Sequence, residues 1–179
     1  MKGIAKIHIN KDERVQFDGE WVTDGYFMAK KEFVRLSDRK LQTFIDDDTI
    51  FSRIDGEIET GDSASVPEMQ RLIDVAAKLE DEYKIHPEML SVIILTNPKT
   101  SARIFSAKTY LTAFDNKYTE LLDLGDVYQA KSDYMPAKEC QASIYRNRQL
   151  IAVVMPVRLG EGGLPETITR LAKIVEEKE

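Results

Sequence analysis

Glycine turns set close together between short apolar runs constrain this chain more than any other feature. Residues 14–17, 21–22 and 26–30 are each too short for a helix, and Asp18-Gly19 and Thr23-Asp24-Gly25 stand between them. Glycine reaches positive φ at little cost, so both segments suit tight reversals between adjacent extended segments. The pattern predicts an antiparallel meander. Residues 3–9 precede it with Ala5, Ile7 and Ile9 on one side and Lys6, His8 and Asn10 on the other, the alternation of a half-buried strand.

Downstream the period changes. A short helix is expected over residues 38–45, followed by the acidic loop Asp46-Asp47-Asp48, a strand over 49–54 and a turn at Asp55-Gly56. Ser65 and Glu68 have capping-box spacing with Pro67 in the first turn. Met69, Leu72, Ile73, Ala76, Leu79 and Tyr83 then recur at helical steps, and the helix should end before His86-Pro87. Strands are expected over 92–95, 102–105 and 110–114. Asp115 or Asn116 then caps a short helix that buries Tyr118, Leu121 and Leu122 and stops at Gly125. Three more strands follow, over 127–132, 139–145 and 150–159. The Gly160-Glu161-Gly162-Gly163 joint leads to a last helix from Pro165 that presents Ile168, Leu171, Ala172 and Val175.

Strands outnumber helices and join by short turns, so the expected class is α+β with antiparallel sheets. Three parts are expected: a partial meander with an insertion over 1–60, a full unit over 61–159, and a linker with a helix over 160–179.

Composition excludes several function classes. A net charge of -6 argues against a protein that coats nucleic acid through bulk positive charge. With 42% hydrophobic and 31% charged residues, the chain is globular in character rather than disordered. Cys140 has no second cysteine to pair with, so a reducing compartment is expected. Residues 1–10 lack the apolar stretch of a signal peptide, and residues 150–157 form an apolar run too short to span a bilayer. The expectation is a cytoplasmic protein without membrane contact.

Catalytic signals are weak. His8 and His86 have no metal-ligand or triad spacing around them, and Asp46 to Asp48 with Asp55, Glu57 and Glu59 lack a regular ligand pattern. The glycine joint lacks the Lys-Ser/Thr of a phosphate loop. No catalytic residue, metal or cofactor is expected, and the chain is read as a non-enzyme. Cys140 alternates with Ala142 and Ile144 and suits a buried structural thiol.

The last strand ends unusually, in Val153-Val154-Met155-Pro156-Val157-Arg158-Leu159. Proline removes a ladder donor, so pairing must stop or move to a sheet edge there. A strand end of flexible Met and small aliphatic groups suits a shallow pocket for a peptide.

Three segments together resemble the β-subunit type of bacterial DNA polymerase sliding clamp. Phe114-Asp115-Asn116-Lys117-Tyr118, followed by Glu120-Leu121-Leu122-Asp123-Leu124-Gly125, looks like the strand-to-helix segment of the clamp's last domain. Val154-Met155-Pro156-Val157-Arg158-Leu159 looks like its C-terminal Met-Pro-Met-Arg-Leu, and Thr23-Asp24-Gly25 with Tyr26-Phe27-Met28 resembles its Thr-Asp-Gly-His-Arg-Leu turn. The resemblance implies a DNA-clamp-like fold of strand-helix-meander repeats with no catalytic activity. It also implies a groove built from Thr23, Gly25, Tyr26, Phe27, Met28, Val154, Met155, Pro156, Val157, Arg158 and Leu159. In the family that groove binds short motifs of polymerases and repair proteins. Pro67 and Arg71 resemble a further groove loop, although the capping box favours a helix there.

Clamp chains are about twice this length and carry three domains, Tyr26-Phe27 replaces His-Arg, and this chain continues past Leu159. The implied protein is a reduced, phage- or mobile-element-type relative that forms homo-oligomers and meets double-stranded DNA through phosphate contacts alone. Its tail helix would cover the groove or support assembly. The alternative is a phage or mobile-element structural protein that shares only the α+β meander and has no DNA role.

Overall fold

The computed structural model describes residues 3–64, 73–74, 76, 84–85, 92–97, 100–106, 111–129 and 141–157. Within them the chain is strand-rich and mixed α+β, with mostly antiparallel sheets, as its turn pattern predicts.

The predicted meander is present: β2 (Val15–Phe17), β3 (Trp21–Thr23) and β4 (Phe27–Lys30) pair antiparallel in chain order. Gly19 and Gly25 sit at φ 100° and 94°, a left-handed backbone that side chains rarely adopt. Residues 3–9 depart from the simple meander. There β1 (Ala5–Ile7) pairs in parallel with β5 (Val34–Leu36), apart from the larger sheet. Its alternation holds all the same, with Ala5, Ile7 and Ile9 buried and His8 exposed. An alternating pattern selects the buried face of a strand but not its neighbour.

Helix α1 (Arg39–Asp46) begins one residue later than expected because Asp38 is its cap, accepting from the Lys40 and Leu41 backbone N–H groups. Leu41 and Ile45 are its buried side. β6 (Phe51–Ile54) then turns through Asp55-Gly56 into β7 (Glu57–Thr60), an edge strand with charged, outward Glu57 and Glu59. Neither β5 nor β7 is expected from sequence, since each is short and only weakly patterned.

Of the long helix predicted from Ser65, Ile73, Asp74 and Ala76 are described; Ile73 and Asp74 are helical and Ala76 is not. Its expected end is corrected: Lys84 and Ile85 form β8 (Lys84–Ile85), an edge strand paired with β12. β9 (Val92–Asn97), β10 (Thr100–Ser106) and β11 (Leu111–Asp115) make a separate antiparallel sheet. After the 3-10 turn Asn116–Tyr118 comes α2 (Thr119–Leu122), then β12 (Asp126–Gln129), β13 (Ala142–Arg146) and β14 (Gln149–Val154).

The larger sheet runs β7-β6-β2-β3-β4-β14-β13-β12-β8, and its central pairing of β14 with β4 joins the two ends of the described chain. Alternate residues of its middle strands feed two interiors. Val22, Phe27, Ala29, Ala152 and Val154 enter the main core, which also holds Phe51, Phe105, Phe114, Leu121 and Ile144. Trp21, Met28 and Val153 face the other way and are covered by Ile73 and Leu150. No helix among the described residues is long and apolar enough to cross a membrane.

Candidate functional site

The last strand stops where proline requires it to. β14 ends at Val154, five residues short of the expected Leu159, because Pro156 has no N–H with which to extend the ladder. The chain then crosses from one sheet to the other. The Met155 N–H donates to the Tyr26 carbonyl at 2.8 Å, and the Val157 N–H donates to the Ala113 carbonyl of β11 at 2.8 Å. Met155-Pro156-Val157 thus bridges the meander turn and the smaller sheet.

A cleft of about 950 Å³ opens beside this bridge. Its apolar rim is Gly25, Tyr26, Met155, Pro156 and Val157, and its polar wall is Glu13, Arg14, Asp24, Asp115, Lys117 and Tyr118. Tyr26 is 65% exposed and Met155 38%, although most large apolar side chains nearby are buried. Two such groups on one rim form an adhesive edge.

The polar wall is built around Asp24. Its Oδ1 accepts from the Tyr26 and Phe27 N–H groups at 2.9 and 3.2 Å. Its Oδ2 accepts from the Tyr118 hydroxyl at 2.6 Å and from Lys117 Nζ at 3.4 Å. Lys117 Nζ also donates to Glu13 Oε2 at 2.9 Å and lies 5.2 Å from the Tyr118 ring centroid. Burial alone would raise the Glu13 carboxyl, but Lys117 and the Asn10 backbone and side-chain donors outweigh it and hold it below the ordinary carboxylate value. Burial first, and the Asp24 carboxylate second, push the Tyr118 phenol far above the usual tyrosine range.

Remote side chains place these groups. Buried Arg53 donates to the Asn10 and Glu13 carbonyls at 2.7 and 3.0 Å and to Asp38 at 2.9 Å, fixing the loop that carries Glu13. Asp115 caps the following turn by accepting from the Lys117 N–H, which turns Lys117 toward the wall.

The eleven groove positions implied by the resemblance divide into three groups. Gly25, Tyr26, Met155, Pro156 and Val157 come together on the rim. Thr23, Phe27, Met28 and Val154 are buried behind it: Thr23 bonds the Phe27 carbonyl through its hydroxyl, Phe27 and Val154 belong to the main core, and Met28 lies on the opposite sheet face. Arg158 and Leu159 lie outside the described residues, as do Pro67, Arg71, His86, Cys140 and the tail helix.

Sequence reasoning missed Glu13, which carries no local signal, and gave no role to Lys117, although Lys117 stands in the same quoted segment as Tyr118; the Glu13 and Lys117 side chains meet across 104 residues. Asp24 and Tyr118 stood within noticed motifs, but nothing in either motif shows that they bond each other across 94 residues.

Among the described residues the lining includes no Ser, Thr, Cys or His, and the carboxylates of the wall are bonded to protein donors. Among the described residues, no group of three or more His, Cys, Asp and Glu side chains is placed to hold a metal ion. The arrangement offers an apolar rim to hold a ligand and a braced polar wall to shape it. No family model, curated protein or solved structure matches the chain.

Proposed function

We propose that this protein is a non-catalytic binding module, similar to a DNA sliding clamp, whose cleft holds short apolar motifs of replication and repair proteins. One observation carries the reading. The two segments that resemble the clamp's groove segments are distant in sequence, yet they are hydrogen-bonded through Met155 and Tyr26 and line one cleft. Asp115, Lys117 and Tyr118, from the third resembling segment, complete the opposite wall.

The chemistry suits the ligand class. A peptide with spaced large apolar side chains can lay them on Tyr26, Met155, Pro156 and Val157, where flexible Met adapts to shape and the aromatic ring supplies contact area at low entropic cost. DNA contact through phosphates and assembly into homo-oligomers belong to the same reading.

The test is binding of a fluorescent Gln-Leu-Asp-Leu-Phe peptide, followed by anisotropy. Wild type binds it, and Met155→Ala weakens binding at least about fivefold, the loss typical of an anchoring side chain. Absence of binding to wild type would overturn the reading and favour an assembly protein.

A further inference from the structure

Two turns meet at the Asp24 carboxylate, the one that bears Tyr26 and the one that bears Lys117 and Tyr118, and Lys117 ties in the loop that bears Glu13. We propose that Lys117 and Tyr118 are positioning residues for ligand binding, holding the Asp24-Gly25-Tyr26 turn so that the Tyr26 ring stands opposite Met155. This rests on the reading of the cleft as a peptide site.

Packing cannot do this work, because the Tyr26 side chain is mostly in solvent. The backbone that carries it must be held instead, and Gly25, at φ 94°, gives the turn little stiffness of its own. Among the described residues, two bonds hold Tyr26: its N–H donates to Asp24 Oδ1, and its carbonyl accepts from the Met155 N–H. The first depends on where the Asp24 carboxylate sits. The Asp24 side chain is 3% exposed, so water cannot stand in for its partners. Among the described residues, Tyr118 and Lys117 reach its outer oxygen from another part of the chain. Losing either lets the carboxylate, and Tyr26 with it, shift.

The Tyr118 ring also packs 5.5 Å from the Phe27 ring, so the hydroxyl must be separated from the ring in any test. Tyr118→Phe does this. Binding of the fluorescent Gln-Leu-Asp-Leu-Phe peptide is measured for wild type, Tyr118→Phe, Lys117→Met and Lys117→Arg, and for Tyr118→Phe combined with Tyr26→Ala. Tyr118→Phe and Lys117→Met are expected to weaken binding about tenfold, the scale of one hydrogen bond to a charged group. Lys117→Arg keeps the charge-assisted bond to Asp24 within reach and is expected to lose less than Lys117→Met.

The decisive readout is coupling. A residue that acts through Tyr26 loses its effect once Tyr26 is truncated, so Tyr118→Phe should cost less than about twofold in the Tyr26→Ala background. Undiminished loss in that background would make Tyr118 an independent structural residue and overturn the proposal. So would unchanged binding by Tyr118→Phe, or equal loss in Lys117→Arg and Lys117→Met. If wild type fails to bind, the peptide reading itself falls, and the positioning roles fall with it.

Discussion

Asp24 accepts from the Tyr26 and Phe27 backbone groups, the Tyr118 hydroxyl and the Lys117 ammonium while almost fully removed from water. A buried carboxylate is tolerated only when its lone pairs are filled, so each donor fixes a loop as well as neutralising a cost. Glu13, less buried, has the more testable titration. Its carboxyl is held below the ordinary value of 4.5 in the folded chain. The stability this contributes is complete above that ordinary value and is lost as pH falls through the lower folded value. Urea unfolding followed from neutral to acid pH should therefore show declining stability in that window. Glu13→Gln should flatten part of the decline. An identical acid limb in both proteins would remove Glu13 from the account. Tyr118 acts at the opposite end of the scale: its phenol should stay protonated while exposed tyrosines ionise, which an ultraviolet pH titration reads directly.

At the scale of elements, Gly125 shows a residue noticed for one reason and required for another. Its position after an apolar helical stretch suggests a helix stop, yet its φ is not in the left-handed region. A Cβ built there would lie 2.2 Å from the Tyr145 carbonyl oxygen of β13. The backbone needs the space rather than the turn. Gly125→Ala should cost at least about 2 kcal/mol, since main chain and not a movable side chain stands in the way, and urea unfolding would measure it. The meander turns were legible because glycine chemistry is local. β5, β7 and β8 were not, because two to four residues carry too little pattern to outweigh neighbouring signals. The end of β14 was half legible. Proline fixed that pairing must stop or move to an edge, and the structure moved the stop to Val154 and gave the next two available N–H groups to the Tyr26 carbonyl of the meander turn and the Ala113 carbonyl of β11.

Across the whole molecule, the ladder between β4 and β14 joins early and late chain into one nine-stranded sheet. Trp21, on β3 beside that junction, reports on both sides of it, packed with Met28 and Val153. Separating the halves would expose the β4 edge and break both interiors, so the joined sheet should unfold as one unit. Trp21 fluorescence and far-ultraviolet circular dichroism should give coincident urea transitions. Two separated midpoints would show that the halves on either side of β4 and β14 unfold independently.

By itself the amino-acid sequence determined the class of fold, the meander with its two glycine turns, the short helix after the meander, the buried face of β1, and the fact that pairing must stop or move to a sheet edge at Pro156. These depend on backbone preferences and on periods of two or a few residues, which any short window of chain displays. The tertiary structure alone decided that β1 pairs with β5, that β4 pairs with β14, and that Glu13, Asp24, Lys117 and Tyr118 form one network beside Tyr26 and Met155. Those contacts join residues far apart in the chain. Their selection comes from burying shared apolar faces and filling the lone pairs of a carboxylate withdrawn from water, and neither cause leaves a local mark in the sequence.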